Sequence, residues 1–300
     1  MQISREITSN DALEVGWVGS KGTFVDTSLN HFNNPEPSLL PFSQERRPFP
    51  QFGRIRMMVA DGNTIYHSLQ ARYEHRFSRG LSLTAAYTWG HLIDDTAQTI
   101  NRGGCGCQNP RNRGRAERAD SIDDIRHRLV AGYVWEMPWG NGLSGVPRAV
   151  LGGWQIGGIV TLQSGSPFNV TQSGDSQNVE FAGWSRPHLL TNVQAELSDP
   201  DPSLWFNTGA FARSVGEYGT SPRNSLVGPG VSTFDLSATK NFRMPWAETH
   251  DLLFRAEFFN AFNTPQFGQP GSTLGTGAFG RVTSTRLDNR QIQLALKYSF

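Results

Sequence analysis

The sequence predicts an all-β chain, an antiparallel transmembrane β-barrel segment of about nine strands in meander order, forming an incomplete barrel with long extracellular loops. Three observations predict this fold. Apolar and polar residues alternate with period two in segments of about ten residues. The connections between these segments alternate between short and long. Aromatic residues, which make up 11% of the chain, collect at the ends of the segments.

The clearest segment is the last one, residues 291–300. Its apolar face carries Ile292, Leu294, Leu296, Tyr298 and Phe300, and the residues between them are polar or small. A strand of about ten residues is long enough to cross a bilayer when it is tilted. The same alternation predicts strands in residues 2–7, 13–17, 69–77, 81–89, 129–135, 154–162, 234–239 and 252–259.

The predicted connections alternate in length along the chain. Loops of 25 residues or more are rare in compact soluble domains, because they are roughly twice as long as the usual upper limit. Outer-membrane barrels, in contrast, place short turns on the periplasmic side and long loops outside the cell. A soluble β-sandwich or lectin-like domain remains the alternative, because strand alternation alone occurs in both classes. The short connections are residues 8–11, 78–80, 138–152 and 241–249, and the long ones are residues 26–53, 90–124, 165–230 and 263–289.

Aromatic residues fall at both ends of the predicted strands. Amphipathic aromatic side chains form girdles at the two headgroup levels of membrane barrels. We therefore predict a set of membrane-interface aromatics. At the short-turn end these are Trp135, Trp139, Trp154, Trp246, Tyr298 and Phe300, and at the long-loop end they are Tyr87 and Trp89.

Composition and motifs exclude several functions. The 27 basic and 26 acidic residues give a net charge of +1, so no nucleic-acid partner is expected. Two cysteines exclude a disulfide framework, although Cys105 and Cys107 could form a local loop staple. The sequence has no G-x-S-x-G, H-E-x-x-H or P-loop motif. We therefore predict no enzyme, no catalytic or metal residues and no cofactor. The arginines of residues 101–118 either bind lipopolysaccharide phosphates, steer an anionic ligand or belong to a solvated loop.

About two thirds of the chain resembles the carboxy-terminal barrel portion of TonB-dependent outer-membrane receptors, and most closely their Oar-like group. The resembling segments are LEVGWVGSKGTFV (13–25), YHSLQARYEHRFSRGLSLTAAYTWGHLIDD (66–95), DIRHRLVAGYVWEMPWG (124–140), LGGWQIGGIVTLQSGSPFNV (151–170), WFNTGAF (205–211), RNSLVGPGVSTFDLSATKNFRM (223–244), LLFRAEFFNAFNTPQFGQP (252–270) and FGRVTSTRLDNRQIQLALKYSF (279–300).

The resemblance implies an outer-membrane location and a parent protein that imports a large, scarce nutrient. Residues 1–300 would be a partial barrel domain, since the family's signal peptide, TonB box, plug and regulatory-like domain are not found in them. TonB would then act only through those other parts. Expected partners are outer-membrane lipid, lipopolysaccharide and the barrel assembly machinery. That machinery would read a last-strand signal made by Leu294, Leu296, Tyr298 and Phe300. Two alternatives remain, an adhesive or structural outer-membrane protein and a soluble carbohydrate-binding β-domain.

Overall fold

A computed structural model of the chain describes residues 1–29, 31–95, 107–111, 117–140, 142–180, 184–243 and 250–300. Its main sheet has ten strands, nine of which follow one another as an antiparallel meander. The tenth is the two-residue strand Ala119–Asp120, which pairs with the fourth strand of the meander. The predicted fold class is confirmed. The nine strands are β1 (Gln2–Glu6), β2 (Asp11–Leu29), β3 (Met57–Ser78), β4 (Leu81–Asp94), β5 (His127–Glu136), β6 (Trp154–Gln163), β7 (Val231–Arg243), β8 (Asp251–Phe259) and β9 (Gln291–Ser299).

The strand register extends the apolar alternation of each strand into a continuous apolar face. Residues directly opposite each other in neighbouring strands share a face. Leu296 of β9 lies opposite Phe254 of β8, and the polar face brings Gln293 opposite Glu257. Among the described residues no second layer covers the apolar face: Trp17 of β2 and Trp89 of β4, two strands with a neighbour on each side, are 49% and 47% exposed. This exposure contradicts the alternative of a soluble sandwich, whose apolar face would be buried between two sheets.

The connections alternate between short and long, as predicted. Between the nine strands, residues 7–10, 79–80, 137–153 and 244–250 make the short ones. In the tightest turn Arg79 and Gly80 both have positive φ, 49° and 83°, as a two-residue hairpin of this type requires. A Cβ atom on Gly80 would lie 2.9 Å from the carbonyl oxygen of Glu136, so glycine is needed there. The long connections are residues 30–56, 95–126, 164–230 and 260–290.

Several strands are longer than the sequence predicts, and β2 and β3 exceed the prediction the most. β2 has 19 residues and β3 has 22, which is about twice what a tilted strand needs to cross a bilayer. Their added residues pair with each other beyond Trp17 and Leu69, with a register shift next to Phe24. Apolar alternation fades there because these residues leave the hydrocarbon region, so the pattern could not mark the true strand ends.

Further short elements lie in the connections and were not predicted. A seven-residue helix of about two turns, α1 (Gly145–Leu151), lies in the connection from β5 to β6. None of the described helices is long and apolar enough to span a membrane. Two 3₁₀ turns are formed by Gln44–Arg46 and Thr208–Ala210. The other described elements are short paired strands: Pro167–Phe168 with Leu226–Val227, Thr171–Gln172 with Thr273–Leu274, His188–Leu189 with Phe211–Ala212, and Glu196–Asp201 with Leu204–Phe206.

Candidate functional site

The described parts of the four long connections fold together at one end of the sheet, and we call this unit the loop cap. Its apolar core lies mainly in residues 164–230. The ring of Phe206 is 1% exposed and lies 5.8 Å from the ring of Phe211 and 5.1 Å from that of Phe279, measured between centroids. Because Phe279 belongs to the last long connection, two connections share one core. The other members of that core are Phe168, Val170, Ala210 and Leu226.

A buried ion pair joins the second long connection to the third. The guanidinium of Arg186 donates to both carboxylate oxygens of Glu117, at 2.7 and 3.0 Å. The two side chains are only 2% and 1% exposed. A bidentate pair of this kind fixes the relative position of its two segments, because neither charge can be left unpaired out of water.

A second arginine connects the loop cap to the sheet. Arg223 donates to the backbone oxygens of Asp94 and Glu117, both at 2.6 Å, and forms an ion pair with the Asp94 carboxylate. Asp94 ends β4 and shares the polar face with Thr88, since side chains alternate along a strand. Arg223 therefore holds the third connection over the polar side of the sheet, which would be the lumen of a barrel.

The first long connection is attached to the third by polar contacts. Asn178 donates to the oxygen of Ser38 at 2.8 Å, and Arg46 donates to the oxygen of Asn178 at 3.0 Å. Arg47, almost fully buried, forms an ion pair with Glu180. Three of the four connections thus share buried polar contacts, and the cap behaves as a folded unit rather than as separate loops.

Burial changes the titration of two groups inside the cap. Desolvation lowers the pKa of His31, although a hydrogen bond with the oxygen of Cys107 at 2.9 Å opposes this effect. Desolvation also raises the pKa of Tyr218, helped by the charge of Glu36. Both groups border a cavity of about 10 Å³, room for no more than about one water molecule. At this point the described part of the cap is therefore closely packed, and burial favours the uncharged forms of His31 and Tyr218.

One cluster in the cap has the composition of a metal site. His91, Asp120 and Asp124 offer ligand atoms within 4.8 Å of one another. Arg126 already contacts both carboxylates, at 2.9 and 3.1 Å, and the amide of Leu92 donates to Asp124 at 2.6 Å. His91 itself lies 2.8 Å from the other oxygen of Asp120, so every oxygen of the two carboxylates already has a partner, and we assign this cluster to the structure of the cap and not to a cation.

The predicted cysteine and arginine features belong partly to the cap. Cys107 is fully buried and disulfide-bonded, whereas Cys105 lies outside the described residues. In the basic stretch, Arg111 donates to the oxygen of Phe32 at 3.1 Å and pairs with Glu36. At Arg111 the positive charge is thus used within the cap. Arg102, Arg113 and Arg115 lie outside the described residues.

The predicted interface aromatics fall at two levels. At the short-turn end, Trp154 begins β6, and the rings of Trp135 and Trp139 meet edge to face at 6.3 Å. Tyr298 and Phe300, at the end of β9, have ring centroids 6.0 Å apart. Toward the cap, Tyr87 stacks on His127 at 6.3 Å and Trp89 is 47% exposed. Trp246 lies outside the described residues. The interface role of this set, and the assembly role of Leu294, Leu296, Tyr298 and Phe300, stay predictions.

Sequence reasoning missed a polar network at the short-turn end. Asp11 accepts hydrogen bonds from the hydroxyl of Tyr73 at 2.6 Å and from Nδ1 of His75 at 2.7 Å. Because that carboxylate only accepts, Nδ1 of His75 is the donor, and Nε2 of the same ring lies 2.9 Å from the hydroxyl oxygen of Ser78. The order is that of a Ser–His–Asp relay. The available signal was His75 itself, a polar residue on the apolar face of β3.

A second missed residue is Lys240, which lies on the apolar face of β7 opposite Trp154. Its ammonium donates to the oxygens of Val150 and Gly152, at 2.8 and 2.6 Å. The sequence signal for this exception was again a polar residue, here a lysine, among the apolar residues of one strand face. Both networks close over sequence separations of about 60 residues or more, so local patterns could not reveal their partners.

Comparison with known proteins identifies the fold. The family model described as outer membrane beta barrel domain matches residues 1–293. A solved structure of the outer membrane transporter YddB from Escherichia coli aligns with 99% of this chain and 31% of its own, at 10% identity and a TM-score of 0.50. BauA, the ferric preacinetobactin receptor from Acinetobacter baumannii, aligns with 100% and 28%, at 11% identity and a TM-score of 0.48.

The chain spans less than a third of either of these structures. Comparison with curated proteins gives no match. The predicted outer-membrane location and the predicted likeness to receptor barrels are confirmed at the level of family and fold. The chain belongs to the outer membrane beta barrel domain family and is an outer-membrane protein.

Proposed function

We propose that this chain forms part of the wall and the outer gate of a TonB-dependent transporter of the Oar-like group, whose complete form imports a large, scarce nutrient. The sheet provides the wall, with its apolar face toward lipid and its polar face toward the lumen. The loop cap provides the gate. One observation carries the proposal: Arg223 holds the third long connection over the polar side of the sheet.

An open sheet of nine strands has two edges, β1 and β9. In hydrocarbon an unpaired backbone group costs several kcal/mol, so only closed barrels span a membrane. Residues 1–300 therefore act as a partial barrel domain, completed by further strands at both edges. The barrel assembly machinery would recognise the last strand, and TonB would act through other parts of the protein.

The proposed function includes no enzymatic step and no cofactor. In the described cluster at His91, Arg126 pairs with both carboxylates. In the Ser–His–Asp relay, the carboxylate of Asp11 also accepts a hydrogen bond from the hydroxyl of Tyr73. We interpret that network as a clamp between the start of β2 and the end of β3. The cap surface, together with lipopolysaccharide around it, forms the first contact with an incoming ligand.

Transport and adhesion make different predictions for living cells. Cells that lack the gene should fail to deplete one class of large solute from the growth medium, measured by untargeted mass spectrometry, and this depletion should require TonB in the parent strain. Their attachment to surfaces should be unchanged. Unchanged depletion combined with lost attachment would reject the transporter and favour the adhesive alternative.

A further inference from the structure

The short connection between β5 and β6 contains an apolar surface that the wall and the gate do not explain. We call residues 137–140 and 142–153 the rim turn; it includes the helix α1. Its large apolar side chains point into solvent: Val146 is 75% exposed, Trp139 62%, Val150 56% and Leu151 55%. Every residue of α1 is exposed. A seven-residue helix is too short to be stable in water by itself, so contacts must hold it in place.

Those contacts come from the lipid-facing side of the sheet. Lys240 is 3% exposed and stands directly opposite Trp154, in the register that also aligns Ile156 with Ala238. Its ammonium donates to the oxygens of Val150 and Gly152, where the last carbonyls of α1 need donors. The indole of Trp154 also donates to Val150, at 3.0 Å.

Aromatic rings complete the attachment. The Lys240 ammonium lies 5.3 Å from the centroid of the Trp154 ring and 5.0 Å from that of Phe242, which are cation–π distances. Trp139 packs its ring against Trp135, another residue of the apolar face. The rim turn is therefore folded outward, against the outside of the sheet, and does not close the lumen.

The position of the rim turn identifies its partner. Its exposed apolar side chains continue the lipid-facing surface at the short-turn end of the strands, which is the headgroup level of the periplasmic leaflet. Arg148 is exposed within the same helix and carries the positive charge that a phosphate would pair with. The ammonium of Lys240 already donates to the oxygens of Val150 and Gly152. Arg148 of α1 therefore provides the cation that is available to a lipid headgroup.

We propose that the rim turn is a membrane-surface anchor that lies in the headgroup region of the periplasmic leaflet, with its apolar side chains among phospholipid chains and Arg148 at a phosphate. This anchor fixes the rotation and depth of the wall in the bilayer. It depends on the outer-membrane family assignment and not on transport, so it holds for a transporter or an adhesin.

The test places an environment-sensitive fluorophore at Val150→Cys in the natural protein, reconstituted into phosphatidylethanolamine–phosphatidylglycerol vesicles. Spin-labelled phospholipid should quench this fluorophore strongly, and aqueous iodide should quench it severalfold less than a matched fluorophore at Leu39→Cys. Leu39 is an equally apolar residue, 78% exposed, at the opposite end of the molecule. Strong quenching by spin-labelled phospholipid identifies lipid as the source of the protection, because shielding by the protein itself would reduce quenching by both reagents.

Equal iodide quenching at positions 150 and 39 would overturn the proposal. A second variant tests the attachment. With Lys240→Met, which keeps the stem but removes the donors, the position-150 fluorophore should become iodide-accessible while the barrel keeps its heat-modifiable migration. Continued protection with this variant would show that Lys240 does not hold the anchor. Weak quenching of the position-150 fluorophore by spin-labelled phospholipid when Lys240 is intact would reject a lipid partner.

Discussion

Replacing Arg186 by methionine should open the loop cap. The change leaves the Glu117 carboxylate, which is 1% exposed, without the two donors that now lie at 2.7 and 3.0 Å. Removing one partner of a buried ion pair costs about 3–5 kcal/mol. The cap opens locally, so this cost applies to the opening equilibrium of residues 107–126 and 164–230 rather than to the barrel.

When the closed cap loses this much stability, the open fraction rises by a factor of roughly 10² to 5 × 10³, at about 1.4 kcal/mol per tenfold. Limited proteolysis of outer-membrane vesicles reports that fraction when cleavage is slow compared with reclosing. We expect cleavage within residues 164–230 to accelerate by about two orders of magnitude or more. Hydrogen exchange of the same amides should accelerate in parallel.

The double variant Arg186→Met with Glu117→Leu is the matched control. Replacing a buried ion pair by apolar residues of similar size is often neutral, so most of the wild-type protection should return. If the single variant resisted protease as well as the wild type, the pair would not hold the cap. If both variants opened equally, packing around Arg186 and not its charge would be responsible.

Three further predictions follow from other parts of the chain. Burial lowers the pKa of His31 below 6.5, so the opened cap binds a proton more readily than the closed one. The stability of the closed cap should therefore not change with pH above about pH 6.5 and should fall as the pH drops below that value. Faster proteolytic cleavage of residues 31–56 at about pH 5 would measure this loss. Phe206→Ala should cost about 3–5 kcal/mol of cap stability, because it empties the centre of the aromatic core, and hydrogen exchange across residues 164–230 measures this loss. Ser78 should not react with a fluorophosphonate, since we interpret its bond to His75 as structural; labelling that Ser78→Ala and His75→Ala both abolish would show a reactive serine and contradict the non-enzymatic proposal.

The sequence predicted the strands well because lipid imposes a simple rule on them. A side chain on the lipid face must be apolar, so Leu294 and Leu296 recur at every second residue. Beyond the bilayer that rule no longer applies. The extra residues of β2 and β3 therefore carried no periodic signal, although they remain paired on both sides of the register shift next to Phe24.

The candidate site could be predicted only in outline. The long connections indicated extracellular loops, but Arg186 and Glu117 are 69 residues apart, and no local pattern indicates such a pair. Lys240 and His75 were visible as polar interruptions of apolar faces. Their partners were not, because Val150 and Asp11 belong to other strands or turns. The sequence therefore indicated where an exception lay and the structure supplied its cause.

The central claim is that one face of the sheet contacts lipid and the other a lumen. Single spin labels along β6, which has a neighbouring strand on each side, test it directly. Labels at Ile156 and Val160 should be accessible to oxygen dissolved in the bilayer, and labels at Gln155 and Thr161 to a water-soluble nickel complex. We predict that access to oxygen and access to the nickel complex alternate with period two along β6, with oxygen reaching the even-numbered residues. Protection of Ile156 and Val160 from both reagents would mean that protein covers the apolar face, and it would contradict the account.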